Sequence, residues 1–269
     1  MLLTLLYVPG DRPDRFAKAV ASGADAVILD LEDAVAPARK AYARSAVRDF
    51  LGEPHAVPIQ VRVNELGGPD VGADLAAVAG LPGLSGGLRL PKVESAAALP
   101  RLEAPLHVLV ESALGLEHAY EIASAGVASV GLGEADLRSD LGVTADEGLL
   151  WARGRIVTAA RAAGLPPPVM SVHPDVADLD GLAASCATGR RLGFLGRAAI
   201  HPRQLPVIAE AFRPASAEVA RAEELLAALA GAAARDSGTV VLPDGRFADR
   251  AMVAEARRTI DLAARFPPA

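Results

Sequence analysis

The chain has 269 residues, a formal net charge of −6, 51% hydrophobic and 22% charged residues, and one cysteine. This composition fits a folded chain with one large core and excludes a disordered one, and the acidic balance argues against a nucleic-acid-binding surface. A single cysteine excludes an intramolecular disulfide framework, and no apolar run approaches the ~20 residues of a membrane span, so the cytoplasm is the expected setting.

The N-terminal run Met1–Val8 is apolar but short. It lacks a basic leader and runs straight into Pro9-Gly10-Asp11, so it reads as a first strand over Leu3–Val8 and not as a signal peptide. From there short apolar runs alternate with longer amphipathic ones. The pattern predicts a helix over Pro13–Ser22, a strand over Asp25–Asp30, a helix over Pro37–Leu51 and a strand over Pro58–Val63. A helix over Asp70–Ala79 comes next, then a strand over Gly87–Leu90, a helix over Glu94–Leu102 and a strand over Leu106–Val110. It continues with a helix over Leu116–Ala125, a strand over Ser129–Leu132 and a long helix over Asp146–Ala163. A seventh strand over Val169–Val172, a helix over Leu179–Leu192, an eighth strand over Leu195–Ile200 and a helix over Arg203–Ala211 complete the run. Eight strand–helix alternations argue for an α/β fold of the (β/α)8 TIM-barrel type spanning residues 1–212. A doubly wound open sheet is the competing topology, but the first strand–helix turn lacks the Gly-x-Gly-x-x-Gly dinucleotide signature.

After the eighth unit the pattern changes. Ala215–Ala234 reads as a helix, Gly238–Asp249 as a short strand, a Pro-Asp-Gly turn and a polar end, and Arg250–Ala264 as a last helix. Residues 213–269 are therefore expected to form a C-terminal extension, either a lid over the barrel or an arm on a neighbouring subunit.

The active site of such a barrel lies at the C-terminal ends of its strands. Those ends carry Asp11 and Arg12, then Asp30, Glu32 and Asp33, then Arg62 and Asn64. Arg89 and Lys92 follow, then Glu111, Glu134 and Asp136, and finally Ser171, His173 and His201. Two carboxylates at neighbouring strand ends, Glu111 after Val108-Leu-Val110 and Asp136 after Val130–Gly133, can seat a hard cation such as Mg²⁺, which takes one or two protein carboxylates and fills its shell with water and substrate. Each can equally cap a helix or pair with an arginine. Arg62, between Val61 and Val63, suits a substrate carboxylate or a developing oxyanion, or an ion pair with Asp30, Glu32 or Asp33. Lys92 is a candidate Schiff-base lysine, but an acidic surrounding raises an ammonium pKa where that chemistry needs it lowered, so an ion pair to the acids is favoured. His173 and His201 each precede a proline at a loop start and read as positioning residues rather than ligands of a hard ion. Cys186 lies in a helical pattern and reads as a small buried residue.

At these same residues the chain resembles a known family. Tyr7–Lys18, Ala26–Val35, Val61-Arg-Val-Asn64, Leu90–Ser95, Val110-Glu-Ser112, Gly133-Glu-Ala-Asp136 and Ile200–Gln204, in that order, resemble the citrate lyase beta-subunit-like members of the HpcH/HpaI aldolase family over nearly the whole chain. The resemblance implies a Mg²⁺-dependent carbon–carbon lyase acting on acyl thioesters such as citramalyl-, malyl- or citryl-CoA. It makes Glu111 and Asp136 the metal ligands, with Glu111 also at the substrate. Arg62 becomes the substrate-binding and catalytic arginine, and Glu32 and Asp33 the acids that order the metal's water shell. Asp249, in Gly245–Asp249, becomes the catalytic acid of a mobile segment lent by a neighbouring subunit in a homotrimer or hexamer. Arg12, Arg15, Lys18 and Arg39 could meet the CoA phosphates. Two alternatives remain: a metal-dependent aldolase on a free 2-keto-4-hydroxy acid, and the beta subunit of a multi-subunit citrate lyase that uses an acyl carrier protein. The chain departs from the family at Leu114, where Ser112-Ala-Leu-Gly115 replaces a usual Ser/Thr-Ala-Arg-Gly, and at Gly196–Ala199 ahead of Ile200-His-Pro.

Overall fold

The computed structural model describes residues 2–233, 239–242, 245, 247–249 and 252–266. These divide into two compact units, Met1–Phe212 and Arg213–Ala269.

In the first unit seven parallel strands form one sheet: β1 Thr4–Pro9, β2 Ala26–Asp30, β3 Ile59–Arg62, β4 Gly87–Leu90, β5 Leu106–Val110, β6 Ser129–Leu132 and β7 Arg197–Ala199. Their order is β6-β5-β4-β3-β2-β1-β7, a half-barrel of parallel strands. Sequential strands lie side by side because each is joined to the next by a crossover through helix or loop. Alternate residues of a strand face opposite sides, and the register carries one side across the sheet: Tyr7 pairs with Ile28, Asp30 with Arg62, Arg62 with Arg89, and Arg89 with His107. That side holds Asp30, Gln60, Arg62, Arg89 and His107, whereas Thr4 and Arg197, paired at the β1–β7 edge, lie on the other. The other side presents Leu6, Val8, Val27, Leu29, Val61, Leu88, Val108 and Val110, all buried.

The helices of this unit are α1 Phe16–Val20, α2 Lys40–Phe50, α3 Val71–Val78, α4 Ala113–Glu117, α5 Ala119–Ala123, α6 Glu134–Asp140, α7 Leu150–Ala162, α8 Leu179–Leu192 and α9 Leu205–Phe212. They bury Phe16, Val47, Leu116, Ile122, Leu137, Ile156 and Phe212. No helix among the described residues is long and apolar enough to cross a membrane.

Several expectations change. The seventh strand, expected over Val169–Val172, is reduced to a bridge between Met170 and Arg197. Three prolines, Pro166–Pro168, precede it, and residues without an N–H cannot build a ladder. The segment still bonds to β7: Met170 N donates to Gly196 O at 3.0 Å and Ala198 N to Met170 O at 3.1 Å. The helix expected over Glu94–Leu102 is only a 3-10 turn at Ala96–Ala98, and Leu99, ahead of Pro100, is already extended, as a residue before proline tends to be. One helix expected over Leu116–Ala125 is two short ones. They meet at His118, whose backbone leaves the helical region while its Nδ1 bonds Glu94 O at 2.8 Å. Helix α6 lay unrecognised in the polar run after β6, so Asp136 sits in its first turn and not at a strand end.

The second unit contains α10 Ser216–Ala233, an antiparallel pair β8 Thr239–Val241 and β9 Phe247–Asp249, and α11 Val253–Ala263. Ala222, Leu225, Leu229, Leu242, Ala248 and Ala256 form its core. Asp249 closes β9 opposite Thr239. Ala234, Gly238, Pro243, Asp244, Arg246 and Arg250, all parts of expected elements, lie outside the described residues.

Candidate active site

The charged side of the sheet opens into a cavity of about 380 Å³. Tyr7, Asp30, Arg62, Arg89, Glu111 and Asp136 line it, with Gly133, Met170 and Ser171 at the β6 and bridge side. The strand-end inventory anticipated most of these.

Asp30, the last residue of β2, organises one wall. Its carboxylate accepts from the backbone N–H of Glu32 at 2.9 Å and of Ala34 at 3.1 Å, which turns the chain sharply, leaving Asp33 exposed at the opening and Glu32 buried beside it. Lys40 Nζ donates to Leu31 O at 3.0 Å and Glu32 O at 3.2 Å, and also to Asn64 Oδ1. The acidic loop is therefore held from behind. Asp30 also receives Arg62 in a two-point fork, Nε at 2.7 Å and Nη2 at 2.6 Å. Arg62 Nη1 stands 2.8 Å from Glu32 Oε2, an ion pair without hydrogen-bond alignment, and 3.4 Å from Asp33. Burial alone would lower the Arg62 pKa; its bonds to Asp30 outweigh that and raise it. The ion pair foreseen for Arg62 is thus present, and most of its fork is occupied by protein carboxylates.

Lys92 has φ +53°, a left-handed conformation that few non-glycine residues adopt. Its Nζ lies 2.9 Å from Glu32, 3.7 Å from Asp33 and 4.0 Å from Asp136. Burial works against the ammonium, but the bond to Glu32 and the surrounding acids raise its pKa. It is an ion-pair lysine, and its environment is the reverse of what a Schiff base needs. Glu134 faces away from the cavity opening and takes a fork from Arg153, 2.8 and 2.7 Å.

Glu111 is different. It is buried, and its Oε2 has no hydrogen-bond partner. Gly133 gives it room: a Cβ there would sit 2.5 Å from the Glu111 Cδ and closer still to Oε1. Burial, then the charges of Glu32 and Asp136, push its pKa up to about 8. Asp136 stands half-exposed at the same opening. Buried anions persist when paired or when they coordinate a metal. Around the cavity stand five carboxylates (Asp30, Glu32, Asp33, Glu111, Asp136) and three cations (Arg62, Arg89, Lys92). Among the described residues no three of His, Cys, Asp and Glu form a metal-holding group, so a resident ion would take Glu111 and Asp136 and complete its shell with water and substrate, the habit of Mg²⁺. The residues present fit that ion.

The remaining candidates fall outside this arrangement. His201 caps the turn ahead of α9, its Nδ1 accepting from Arg203 N at 3.2 Å. His173 Nε2 lies 3.5 Å from Asp178. Cys186 is buried, as expected. Arg12 is forked onto Asp14 at 3.0 and 2.9 Å, and Arg39 lies 3.5 Å from Asp11. Leu114, the departure from the family pattern, is 52% exposed and is absent from the cavity wall. The sequence reading left Tyr7 and Gly133 without a role. The alternation of Tyr7 with Pro9 on one strand face signalled the first; only packing could reveal the second.

A parallel α/β sheet whose C-terminal edge carries a carboxylate pair, an acid loop and buried arginines defines a metal-assisted enzyme of small anionic substrates. The model of the HpcH/HpaI aldolase/citrate lyase family matches residues 3–202, and the chain belongs to that family. A citrate lyase subunit beta-like protein of Mycobacterium tuberculosis is 41% identical over 235 residues, 83% of each chain. An L-malyl-CoA/beta-methylmalyl-CoA lyase of Cereibacter sphaeroides is 34% identical over 297 residues, covering 93% of this chain and 91% of its own. Among solved structures, the protein CitE of M. tuberculosis in complex with magnesium, acetoacetate and coenzyme A is 34% identical, with a TM-score of 0.82 over 97% of this chain and 98% of its own.

Proposed function

We propose that this chain is a Mg²⁺-dependent carbon–carbon lyase that cleaves, or forms, a β-hydroxyacyl-CoA such as citramalyl-, malyl- or citryl-CoA, with acetyl-CoA and a keto or aldehyde acid as the other partners of the reaction. The observation that carries this reading is the buried, unpartnered carboxylate of Glu111 beside Asp136, in a family whose members named above include a malyl-CoA lyase and a protein complexed with magnesium and coenzyme A. Glu111 and Asp136 would hold the ion, with Glu32 and Asp33 turned toward its water shell. When bound, it supplies a Lewis acid for the oxygen that becomes a carbonyl.

The chain's own residues do the rest. Asp30 fixes Arg62 beside the cavity, where its charge favours the thioester enolate left when the Cα–Cβ bond breaks. The hydroxyl proton passes to water as the carbonyl forms and the Cα–Cβ bond breaks, and Asp249 gives one proton to the enolate carbon, so that one proton is released and one is taken up. In the condensing direction Asp249 removes a proton from the acetyl methyl group. Such an acid needs shelter from water, and so we read residues 213–269 as a lid domain that closes on a catalytic domain of residues 1–212 in a cytoplasmic homotrimer or hexamer. The bonds of residues 168–170 to residues 195–198 and of Glu134 N to Ser171 Oγ at 3.2 Å support a complete (β/α)8 TIM barrel in which this segment stands between β6 and β7. Arg12, Arg15, Lys18 and Arg39 remain the candidates for the CoA phosphates.

Purified protein assayed with Mg²⁺ against malyl-, citramalyl- and citryl-CoA tests the reading. Acetyl-CoA release from at least one, abolished by a chelator, is expected. Turnover confined to a free 2-keto-4-hydroxy acid, or to an acyl carrier protein thioester, would replace it with one of the two alternatives.

A further inference from the structure

Two carboxylates stand in the first turn of α6, Glu134 and Asp136, and their surroundings are opposite. Asp136 is half-exposed at the cavity, and its one ion pair among the described residues is with Lys92 at 4.0 Å. Its place is therefore set by the backbone that carries it. Glu134 is mostly buried and takes the two-point fork of Arg153. Arg153, on α7, is 4% exposed. Its guanidinium also grips Asp146, Nη1 at 2.7 Å and Nη2 at 2.9 Å, and Arg138 donates to the same carboxylate at 3.1 Å. Two arginines and two carboxylates form a neutral cluster, so it holds the chain rather than a ligand.

What it holds is the start of α6. The N-cap, Gly133, has no side chain to offer. Ser171 Oγ accepts from Glu134 N at 3.2 Å, and the Arg153 fork is the second tie. Beyond Asp136 the helix is anchored by the buried Leu137 and by Asp140, which accepts from Ala113 N at 2.7 Å. Residues two apart on a helix lie about 200° apart around its axis, so drawing Glu134 to one side turns Asp136 to the other.

We propose that Arg153 is a positioning residue for the metal site: by gripping Glu134 it fixes the first turn of α6, so that Asp136 and not Glu134 faces the cavity. This rests on the Mg²⁺ reading above. Partners that orient a metal-binding side chain typically govern affinity about tenfold or more.

Titration calorimetry of the full-length protein with Mg²⁺ alone tests this. Arg153→Met and Glu134→Met should each weaken binding about tenfold or more, and the double variant no further than the weaker single, because both cut one tie. Glu134→Gln, which keeps one acceptor for the fork, should recover part of the affinity. Charge alone predicts another pattern: losing the cation tightens Mg²⁺ binding, losing the anion loosens it, and Met and Gln at position 134 are equal. Ile156→Val, a core substitution on the same helix, should lower the urea midpoint and leave Mg²⁺ affinity unchanged. Equal or tighter binding by Arg153→Met overturns the proposal, as does an additive loss in the double variant or a matching loss in Ile156→Val. If Arg153→Met does not fold, the position-134 variants decide, and equal affinities of Glu134→Met and Glu134→Gln overturn it. A wild type that binds no Mg²⁺ overturns the metal reading itself; a wild type that binds it, matched by every variant, overturns this inference alone.

Discussion

Glu111 carries the sharpest consequence of a single residue. In the folded chain its carboxyl titrates at about 8, against an ordinary value of 4.5. Between those two pH values the unfolded chain has released the proton and the folded chain still holds it. The stability this gives is full below about pH 4.5 and is lost as pH rises through about 8, at roughly 1.4 kcal/mol per tenfold of proton affinity, a few kcal/mol in all. Chemical denaturation in a chelator at pH 5, 7 and 8.5 should show that decline. Glu111→Gln should remove most of it, leaving the smaller same-direction contribution of Glu32. Saturating Mg²⁺ should flatten the wild-type curve, because the ion stabilises the ionised form, and below pH 8 its binding should release a proton. An unchanged slope in Glu111→Gln would show that Glu111 is not the group that carries the pH dependence. The sequence marked Glu111 and Asp136 as strand-end acids and Arg62 as a buried cation among acids, since each interrupts an apolar run. It could not rank them. Which carboxylate is left unpaired depends on Arg62 choosing Asp30 and Arg153 choosing Glu134, and those choices are made by packing.

Among the elements, the β6–α6 junction shows what the pattern reveals and what it hides. The strands were legible because buried parallel strands are continuous apolar runs bounded by Gly, Asp or Pro. The short helices were less so: α4 and α5 were read as one helix over Leu116–Ala125, and α6 was missed. Each runs seven residues or fewer, too short for a 3.6-residue period to declare itself. Gly133 joins β6 to α6. Its physical role is space: any Cβ there would drive into the Glu111 carboxylate. Gly133→Ala should therefore leave the chain folded, with helix α6 retained by circular dichroism, while Mg²⁺ affinity falls about tenfold or more as Glu111 is pushed off its position, of order 1.4 kcal/mol. Equal Mg²⁺ affinity in wild type and Gly133→Ala, by calorimetry, would show that Glu111 does not need its present place to hold the ion.

At the scale of the whole molecule, the acid role proposed for Asp249 raises the question of which subunit's tail would supply it. The chain forms two units, Met1–Phe212 and Arg213–Ala269, and the second has a core of its own. A sequence cannot say which subunit's tail serves which site, because that is a property of assembly. Asp249→Ala should abolish turnover and leave Mg²⁺ binding by Glu111 and Asp136 intact; near-normal activity would remove the tail acid from the chemistry. Glu111→Gln should be equally dead for the opposite reason. Unfolded and refolded together at equal amounts, the two dead proteins distinguish the arrangements. If each tail serves its own chain, every site in the mixture keeps one defect and no activity returns. If each tail serves a neighbour, a site works when a chain with intact Glu111 receives the tail of a chain with intact Asp249. With random assembly in a closed ring, that occurs at about one site in four. Acetyl-CoA release near a quarter of wild type would establish a shared active site and make the oligomer a requirement of catalysis. Release at the level of either parent alone would place the lid on its own chain.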